Sequence, residues 1–175
     1  MHTTTNSQSL DQFLTFFLAE EEYAISVLKV TEIIECGELT KVPATPAWIR
    51  GVINLRGAVV PVVDLAIKFG LPHTAVTPRT CVVVVEITID EERLVLGVMA
   101  DSVHQVLDIP PGDIQPPPSF GPKVRVDCII GMGSGGGKFV VILDIDHILS
   151  SNEVLAATEA ADIDDATLPA AIEAG

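Results

Sequence analysis

Short apolar runs separated by polar turns recur along the whole chain. Many of these runs are rich in Val and Ile, whose side chains are stiff about χ1 and pack well on a pleated surface. The turn signals between the runs come at close intervals, which is typical of short strands and not of long helices. The pattern predicts an all-β protein of roughly ten short strands, arranged as two barrels and not as one.

A hairpin opens the series, with arms at residues 12–18 and 23–27 around an acidic turn. The segment at 29–34 is ambiguous, because its apolar residues have helical spacing but are β-branched. Further strands are expected at residues 39–42, 58–63, 80–89, 93–99, 101–107, 124–132 and 139–145, with a flexible glycine turn at 133–137.

Three short helices are also predicted. Residues 45–51 begin with Thr-Pro and end with Gly, the residue types that begin and end one or two helical turns. Asp64 can cap a turn over residues 65–69, and a capping box at 150–153 predicts a helix over 154–161. The sequence therefore predicts a C-terminal helix in addition to the strands.

With 175 residues, the chain can form one sizeable core or two small ones. A barrel of about 65 to 70 residues buries too little surface to be stable alone, so the two barrels should share a core. We expect a flexible tail at 1–11 and barrels at about 19–78 and 79–150, with a first strand that could belong to both. Residues 151–175 should form the short helix and an acidic tail.

Composition narrows the possible partners. The formal charge is −14, from 24 acidic and 10 basic residues, and it would repel a phosphate backbone, so nucleic acid is not expected as a partner. Aromatic residues, at 5%, are too scarce for an oligonucleotide-binding barrel that stacks bases. No apolar run reaches the ~18 to 20 residues of a spanning helix, which predicts a cytoplasmic protein without membrane insertion. The three scattered cysteines are interpreted as small buried residues.

The stretch around Asn54 carries the most information. Gly51 and Gly57 lie on either side of Asn54 and Arg56, and such glycines mark backbone that turns sharply or takes a positive φ. Arg56 is therefore expected to project from a constrained turn. The strand that follows is apolar on both faces and should be buried, with Pro61 at an edge, a bulge or a strand start, since proline cannot donate to a sheet.

Candidate chemistry is sparse. Asp144, Asp146 and His147 could be metal ligands or a hydrolytic cluster, although no second cluster completes a coordination sphere. No nucleophile motif accompanies the other histidines, so the balance favours binding, and no cofactor is expected. A small-ligand-binding, metal-binding or hydrolytic β-barrel that uses these three residues is the alternative function.

Arg56 is the candidate binding residue, and Glu32 is its candidate partner from an earlier segment. A guanidinium group is a planar fork that pairs with both oxygens of a carboxylate. The competing interpretation is an ordinary surface ion pair, which contributes little to stability. The constrained turn favours a role for Arg56 at an interface.

At these residues the chain resembles the CheW family, the coupling proteins of bacterial chemotaxis. The family's hallmark is similar to Gly51-x-x-Asn54-Leu55-Arg56-Gly57 followed by Val60-Pro61-x-x-Asp64-Leu65. Other similar pieces, in chain order, are Val30-x-Glu32-Ile33, Val42-Pro43-x-x-Pro46, Gly97-Val98-Met99-Ala100-Asp101 and Leu143-Asp144-Ile145. The resemblance covers residues 12–149.

The resemblance implies a fold of two SH3-like five-stranded barrels packed on a shared hydrophobic core. It implies a non-enzymatic adaptor that couples the cytoplasmic tips of chemoreceptors to a CheA-type histidine kinase, and that is recruited to receptor arrays at the inner face of the membrane. The regulatory domain of such a kinase shares this fold, so contact between barrels is implied too. By carry-over, the receptor- and kinase-binding residues are Val30, Glu32, Arg50, Asn54 and Arg56, with Glu32 and Arg56 as an interacting polar pair.

Overall fold

The computed structural model describes residues 12–71, 75–89, 91–116, 128–135 and 137–148. Its ten strands are β1 (Gln12–Leu18), β2 (Glu21–Ser26), β3 (Val30–Glu35), β4 (Ile49–Leu55), β5 (Ala58–Val63), β6 (Cys81–Ile89), β7 (Glu92–Ala100), β8 (Ser102–Asp108), β9 (Ile129–Gly135) and β10 (Lys138–Leu143). They form two five-stranded sheets with the orders β8-β1-β2-β10-β9 and β3-β6-β7-β5-β4. The all-β prediction and the two-barrel architecture are confirmed.

The two barrels do not follow one another along the chain. One, which we call the central barrel, contains the consecutive strands β3 to β7, whereas the other, the terminal barrel, combines the hairpin β1–β2 with β8, β9 and β10. The predicted division into residues 19–78 and 79–150 is therefore wrong. A hydrophobic pattern identifies strands from local sequence, but it does not indicate which distant strand each one pairs with.

The two halves of the chain have the same order of elements. Each half has a hairpin, a single strand and a second hairpin, and the halves exchange partners. In both barrels the second arm of the first hairpin pairs in parallel with the last strand, β2 with β10 and β7 with β5. The first arm pairs with a single strand from the other half, β1 with β8 and β6 with β3. This exchange ties the halves together and explains the absence of a sequential boundary.

The largest hydrophobic cluster lies between the barrels. It contains buried residues of both sheets, among them Phe16 and Ile25 from the terminal barrel and Leu65, Val83 and Leu96 from around the central barrel. Each barrel also encloses a smaller cluster of its own. Because the large cluster takes residues from both sheets, neither barrel could bury that face alone, and the expected shared core is confirmed.

Two predicted elements differ in the structure. The predicted helix at 45–51 is wrong: the chain turns there, and β4 begins at Ile49. Gly51, which we expected to end a helix, lies instead beside a register shift in β4. The glycine turn expected at 133–137 is also shorter than predicted, because β9 continues to Gly135. Glycines 131 and 133 suit the strand because added Cβ atoms would meet Gln115 and Ile109 at 2.5 and 2.8 Å.

The structure resolves the segments whose sequence pattern was ambiguous or short. The segment at 29–34 is mostly β3, entered through a 3-10 turn at Val27–Lys29. The short strand predicted at 39–42 is reduced to one bridge between Thr40 and Val52. Asp64 caps the short helix α1 (Leu65–Lys68), as predicted. The N-terminal tail, residues 124–127 of the strand predicted at 124–132 and everything predicted beyond residue 148 lie outside the described residues.

Pro61 does not lie in an edge strand. β5 is flanked by β4 and β7, so of the three expected positions, an edge, a bulge or a strand start, the edge is excluded. The parallel pairing of β5 with β7 is found at Val62 and Val63, one residue after the proline. Pro61 is therefore paired only with Val52 of β4. Its missing N–H costs no hydrogen bond of the parallel ladder with β7, because that ladder begins at the next residue.

Gly51→Ala should destabilise the protein by about 2 kcal/mol, a typical cost of overpacking. Gly51 has a φ of 151°, and a Cβ atom there would lie 2.7 Å from the backbone oxygen of Thr40. Gly57→Ala is the matched control, because Gly57 also has a positive φ but has nothing within 4 Å of the added atom. It should cost about 1 kcal/mol. Urea unfolding measures both, and equal costs would show that the approach to Thr40 is unimportant.

Candidate functional site

Arg56 lies in a two-residue turn between β4 and β5. Leu55 and Ala58 are the closing pair of the hairpin, and both turn residues have positive φ, 51° at Arg56 and 89° at Gly57. This is the geometry of a type I′ turn, which matches the twist of the strands that it joins. The side chain of Asn54 holds the turn by accepting a hydrogen bond from the Gly57 N–H at 2.9 Å. The constrained turn is confirmed.

The positive φ at Arg56 itself was not predicted from sequence. Non-glycine residues with positive φ are uncommon, and Asn or Asp is the usual choice. The only signal was the short interval between the apolar residues of β4 and those of β5, which leaves two residues for the loop. The turn thus displays Arg56 from a backbone conformation that most residues avoid.

Glu32 and Arg56 form the ion pair that the sequence suggested. Nη1 of Arg56 donates to Oε1 of Glu32 at 3.3 Å, and Nη2 donates to Oε2. The side chain of Arg56 is 73% exposed and that of Glu32 is 25% exposed. Because β3 and β4 are the two edge strands of the central barrel, this pair joins the β4–β5 turn to the opposite edge of the sheet.

The pair shifts the titration of both groups. The hydrogen bond from Arg56 lowers the pKa of the Glu32 carboxyl below its ordinary value of 4.5, and the same bond raises the pKa of Arg56. A carboxyl with a lowered folded-state pKa contributes stability above its unfolded pKa and loses that contribution as the pH falls through the folded pKa. The pair should therefore persist at neutral pH and disappear in acid.

An NMR titration of the Glu32 carboxyl carbon should give a pKa below 4.5. Arg56→Gln should raise this pKa, because it removes the positively charged donor. Arg79→Gln is the control, since Arg79 is exposed, lies outside the groove and does not pair with Glu32. A Glu32 pKa that is the same with and without Arg56 would show that the pair does not form in solution.

Arg50 is engaged with a buried carboxylate. Its Nη1 donates to Oδ2 of Asp64 at 2.7 Å, and the other oxygen of Asp64 accepts the Ala66 N–H at 3.0 Å to cap α1. The side chain of Asp64 is fully buried and that of Arg50 is 22% exposed. The cap could be predicted from local sequence but the ion pair could not, because the thirteen residues between Arg50 and Asp64 form most of a hairpin that brings the two side chains together.

The candidate binding residues divide into two groups. Glu32, Asn54 and Arg56 meet at the β4–β5 turn. Val30 is at the start of β3, half-buried against the shared core, and Arg50 is at the opposite end of β4 from Asn54. The three residues at the turn form one surface, and contact of any of the five residues with a partner stays a prediction.

A groove of ≈ 470 Å³ opens beside this surface. Two arginines and one acid contribute to its lining, and the rest is largely apolar. Its lining residues are Thr31, Glu32, Leu55, Arg56, Ala58, Val59, Val60, Pro61, Val84, Arg93, Leu94 and Val95. We call it the barrel groove, because all of these residues belong to the strands and the turn of the central barrel.

The alternative cluster at Asp144, Asp146 and His147 has a structural arrangement. Asp144 accepts the Asp146 N–H at 3.2 Å and lies 2.7 Å from Nδ1 of His147. Asp146 instead accepts from Lys29 at 2.7 Å and from the Thr88 N–H at 3.0 Å, which links the turn after β10 to the central barrel. Its oxygens have protein donors, and no group of three potential metal-binding side chains occurs among the described residues.

The three cysteines are free, with Cys128 buried and Cys36 and Cys81 half-buried. Burial raises the pKa of the Cys36 thiol. No helix within the described ranges has the length and apolar character to cross a membrane.

Comparison with known proteins identifies the family. Residues 12–153 match the model of the CheW-like domain. The chain belongs to the CheW family. It is 36% identical over 143 residues to the chemotaxis protein CheW of Klebsiella aerogenes, covering 82% of this chain and 84% of the relative, and 29% identical over 152 residues to CheW of Rhizobium meliloti, covering 87% and 94%. It also resembles the crystal structure of the scaffolding protein TtCheW from Thermoanaerobacter tengcongensis, with a TM-score of 0.71, 30% identity, and coverage of 82% of this chain and 90% of the other.

The hallmark of the CheW family has a structural explanation in this chain. Gly51 is required by the close approach of Thr40, Asn54 holds the turn, and Asp64 caps α1 and binds Arg50. Arg56 is different, because its side chain is mostly exposed and its one described partner is on the surface. Structural roles therefore explain Gly51, Asn54 and Asp64 of this pattern, whereas the fold does not require the exposed arginine at Arg56.

Proposed function

We propose that this protein is a non-enzymatic adaptor that couples the cytoplasmic tips of chemoreceptors to a CheA-type histidine kinase in chemotaxis. Its CheW relatives are named chemotaxis proteins, and its structural neighbour is named a scaffolding protein. The observation that carries the proposal is the exposed Arg56, held by a type I′ turn and paired with Glu32. An adaptor needs such a displayed surface and no catalytic group.

The geometry at Arg56 suits protein recognition. Arginine is enriched among the residues that dominate binding energy at interfaces, and it offers several donors in a fixed fork. Because the turn and Glu32 already hold its backbone and side chain, little additional ordering is needed on binding. The neighbouring barrel groove adds apolar surface that a partner can bury.

The proposed partners differ in shape. A receptor tip is a bundle of helices, which can place a helix against the groove and Arg56. The regulatory domain of the kinase is implied to share the double-barrel fold, so it would meet this protein barrel to barrel. Modest interfaces suit this role, because an array of many copies gains avidity from multivalent contact. The protein would then act in the cytoplasm, at receptor arrays on the inner face of the membrane.

Isothermal titration calorimetry with each purified partner tests the proposal. The full chain should bind the kinase's regulatory domain and a receptor cytoplasmic fragment, and binding one should leave a site for the other. Titration with divalent cations in the same instrument tests the alternative at Asp144, Asp146 and His147. Binding to neither protein, together with stoichiometric heat from a metal, would replace the adaptor by that alternative.

A further inference from the structure

We infer that the acidic C-terminal segment, residues 150–175, docks in the barrel groove of its own molecule and covers the surface around Arg56. The groove has an apolar lining with two arginines, and the segment has complementary composition. The turn from which the segment continues is tied to the strand next to Arg93.

The groove is a cationic surface on an acidic protein. Arg56 and Arg93 both line it, against one acid, Glu32, while the whole chain has a formal charge of −14. Glu32 is already paired with Arg56, whereas Arg93 is exposed and makes no ion pair within the described part of the chain. The groove therefore retains one guanidinium that makes no ion pair among the described residues, beside apolar walls.

The C-terminal segment has residues that complement both features of the groove, its available arginine and its apolar walls. It contains six acids and no Lys or Arg, and it carries scattered apolar residues. The acids are Glu153, Glu159, Asp162, Asp164, Asp165 and Glu173. Val154, Leu155 and Ile163 lie among them and can supply apolar contacts. A segment of this kind matches a groove with an apolar lining and an available guanidinium.

The described chain ends close to the groove. Ile148, the last described residue, is buried in the shared core directly after the turn at Ile145–His147. Asp146 in that turn accepts the N–H of Thr88, and Thr88 is the direct cross-strand neighbour of Arg93. Opposed residues in an antiparallel pair are about 4.5 to 5.5 Å apart. Residues 149–153 in extended form and the predicted helix from residue 154 can together span about 25 Å up to Glu159, so the acids from Glu159 onward can reach the groove.

Attachment makes even a weak contact effective. A short covalent connection gives the segment an effective concentration in the millimolar range at the groove. A partner that needs the same surface then binds with a lower apparent affinity. The affinity is reduced in proportion to the fraction of molecules in which the groove is unoccupied. This consequence rests on the proposed function, whereas the docking itself does not.

Amide NMR spectra of the full chain test the docking. The tail variant Asp162→Asn/Asp164→Asn/Asp165→Asn should shift the amides of residues 55–60 and 93–95, because the segment leaves the groove. Arg93→Gln should shift the amides of residues 55–60 in the same direction, and Arg79→Gln, which changes an exposed arginine outside the groove, should not. The amides of β9 serve as the internal reference. Unchanged groove amides in the tail variant, or shifts spread evenly over both barrels, would overturn the inference.

Protein concentration separates docking within one molecule from docking between two. If the wild-type groove amides keep their positions on a tenfold dilution, the contact is intramolecular, and if they move toward those of the tail variant, the intramolecular inference is wrong. Partner affinity is then measured separately. A segment that occupies the groove in 70–90% of molecules should make the tail variant bind about three- to tenfold more tightly. Failure of either variant to bind a partner would count against the proposed function and leave the NMR result intact.

Discussion

Asp64→Ala should destabilise the protein by about 3–5 kcal/mol, the range measured when one member of a buried ion pair is removed. The carboxylate of Asp64 is fully buried, pairs with Arg50 at 2.7 Å and caps α1. Its removal leaves a mostly buried guanidinium without this partner and the first turn of α1 without its cap. Urea unfolding of both proteins measures the difference, and the midpoint should fall sharply with little change in slope.

The fold supplies a matched control for this variant. Asp144 occupies the equivalent place in the other half of the chain, where it caps the turn after β10 as Asp64 caps the turn after β5. Its side chain is 32% exposed and its partner is the exposed His147, so Asp144→Ala should cost only about 1 kcal/mol. Equal losses for the two variants would show that burial of the Arg50–Asp64 pair is not what matters.

Arg56→Glu should weaken partner binding by at least about tenfold, which corresponds to about 1.4 kcal/mol of binding free energy. The variant replaces an exposed guanidinium by a carboxylate beside Glu32. A partner surface that complements Arg56 carries negative charge, and the new carboxylate would repel it. Because the side chain is 73% exposed, the melting temperature should stay within about 2 °C of the wild-type value. Calorimetric titration with the receptor fragment and the kinase's regulatory domain measures the loss.

The control for this variant is Arg79→Glu, which makes the same charge change at another exposed position. It should leave affinity within about twofold, since a rim or distant charge mainly changes the association rate. The charge-reversed pair Glu32→Arg/Arg56→Glu should regain part of the affinity that each single change removes. Strict additivity of the two changes, or normal binding by Arg56→Glu, would remove the pair from the interface.

Local sequence was sufficient to predict most strands and the polar turn. Alternating or continuous apolar runs report which residues are buried in a strand, and this information is contained in a few neighbouring residues. The same holds for the cap at Asp64, because a cap depends on the backbone N–H two residues later. These features required no knowledge of the rest of the fold.

Features that depend on distant residues could not be predicted in this way. The exchange of hairpins between the halves leaves no local trace, so the sequential barrel boundary was wrong. Gly51 was interpreted as a helix end from its local sequence. The reason for a glycine there is the close approach of the Thr40 backbone, a tertiary contact that local sequence does not show. The Arg50–Asp64 pair was missed for the same reason. By contrast, the Glu32–Arg56 pair was predicted, because the resemblance to the CheW family implies an interacting polar pair at these two positions.

We propose that this chain links two other proteins through the surface around Arg56 without performing a reaction. Co-sedimentation of the kinase with receptor fragments assembled on vesicles tests it most directly. The account predicts that the kinase sediments with the receptor when the full chain is added, and that Arg56→Glu largely abolishes this while Arg79→Glu does not. Sedimentation of the kinase to the same extent without the chain, or with Arg56→Glu in its place, would contradict it.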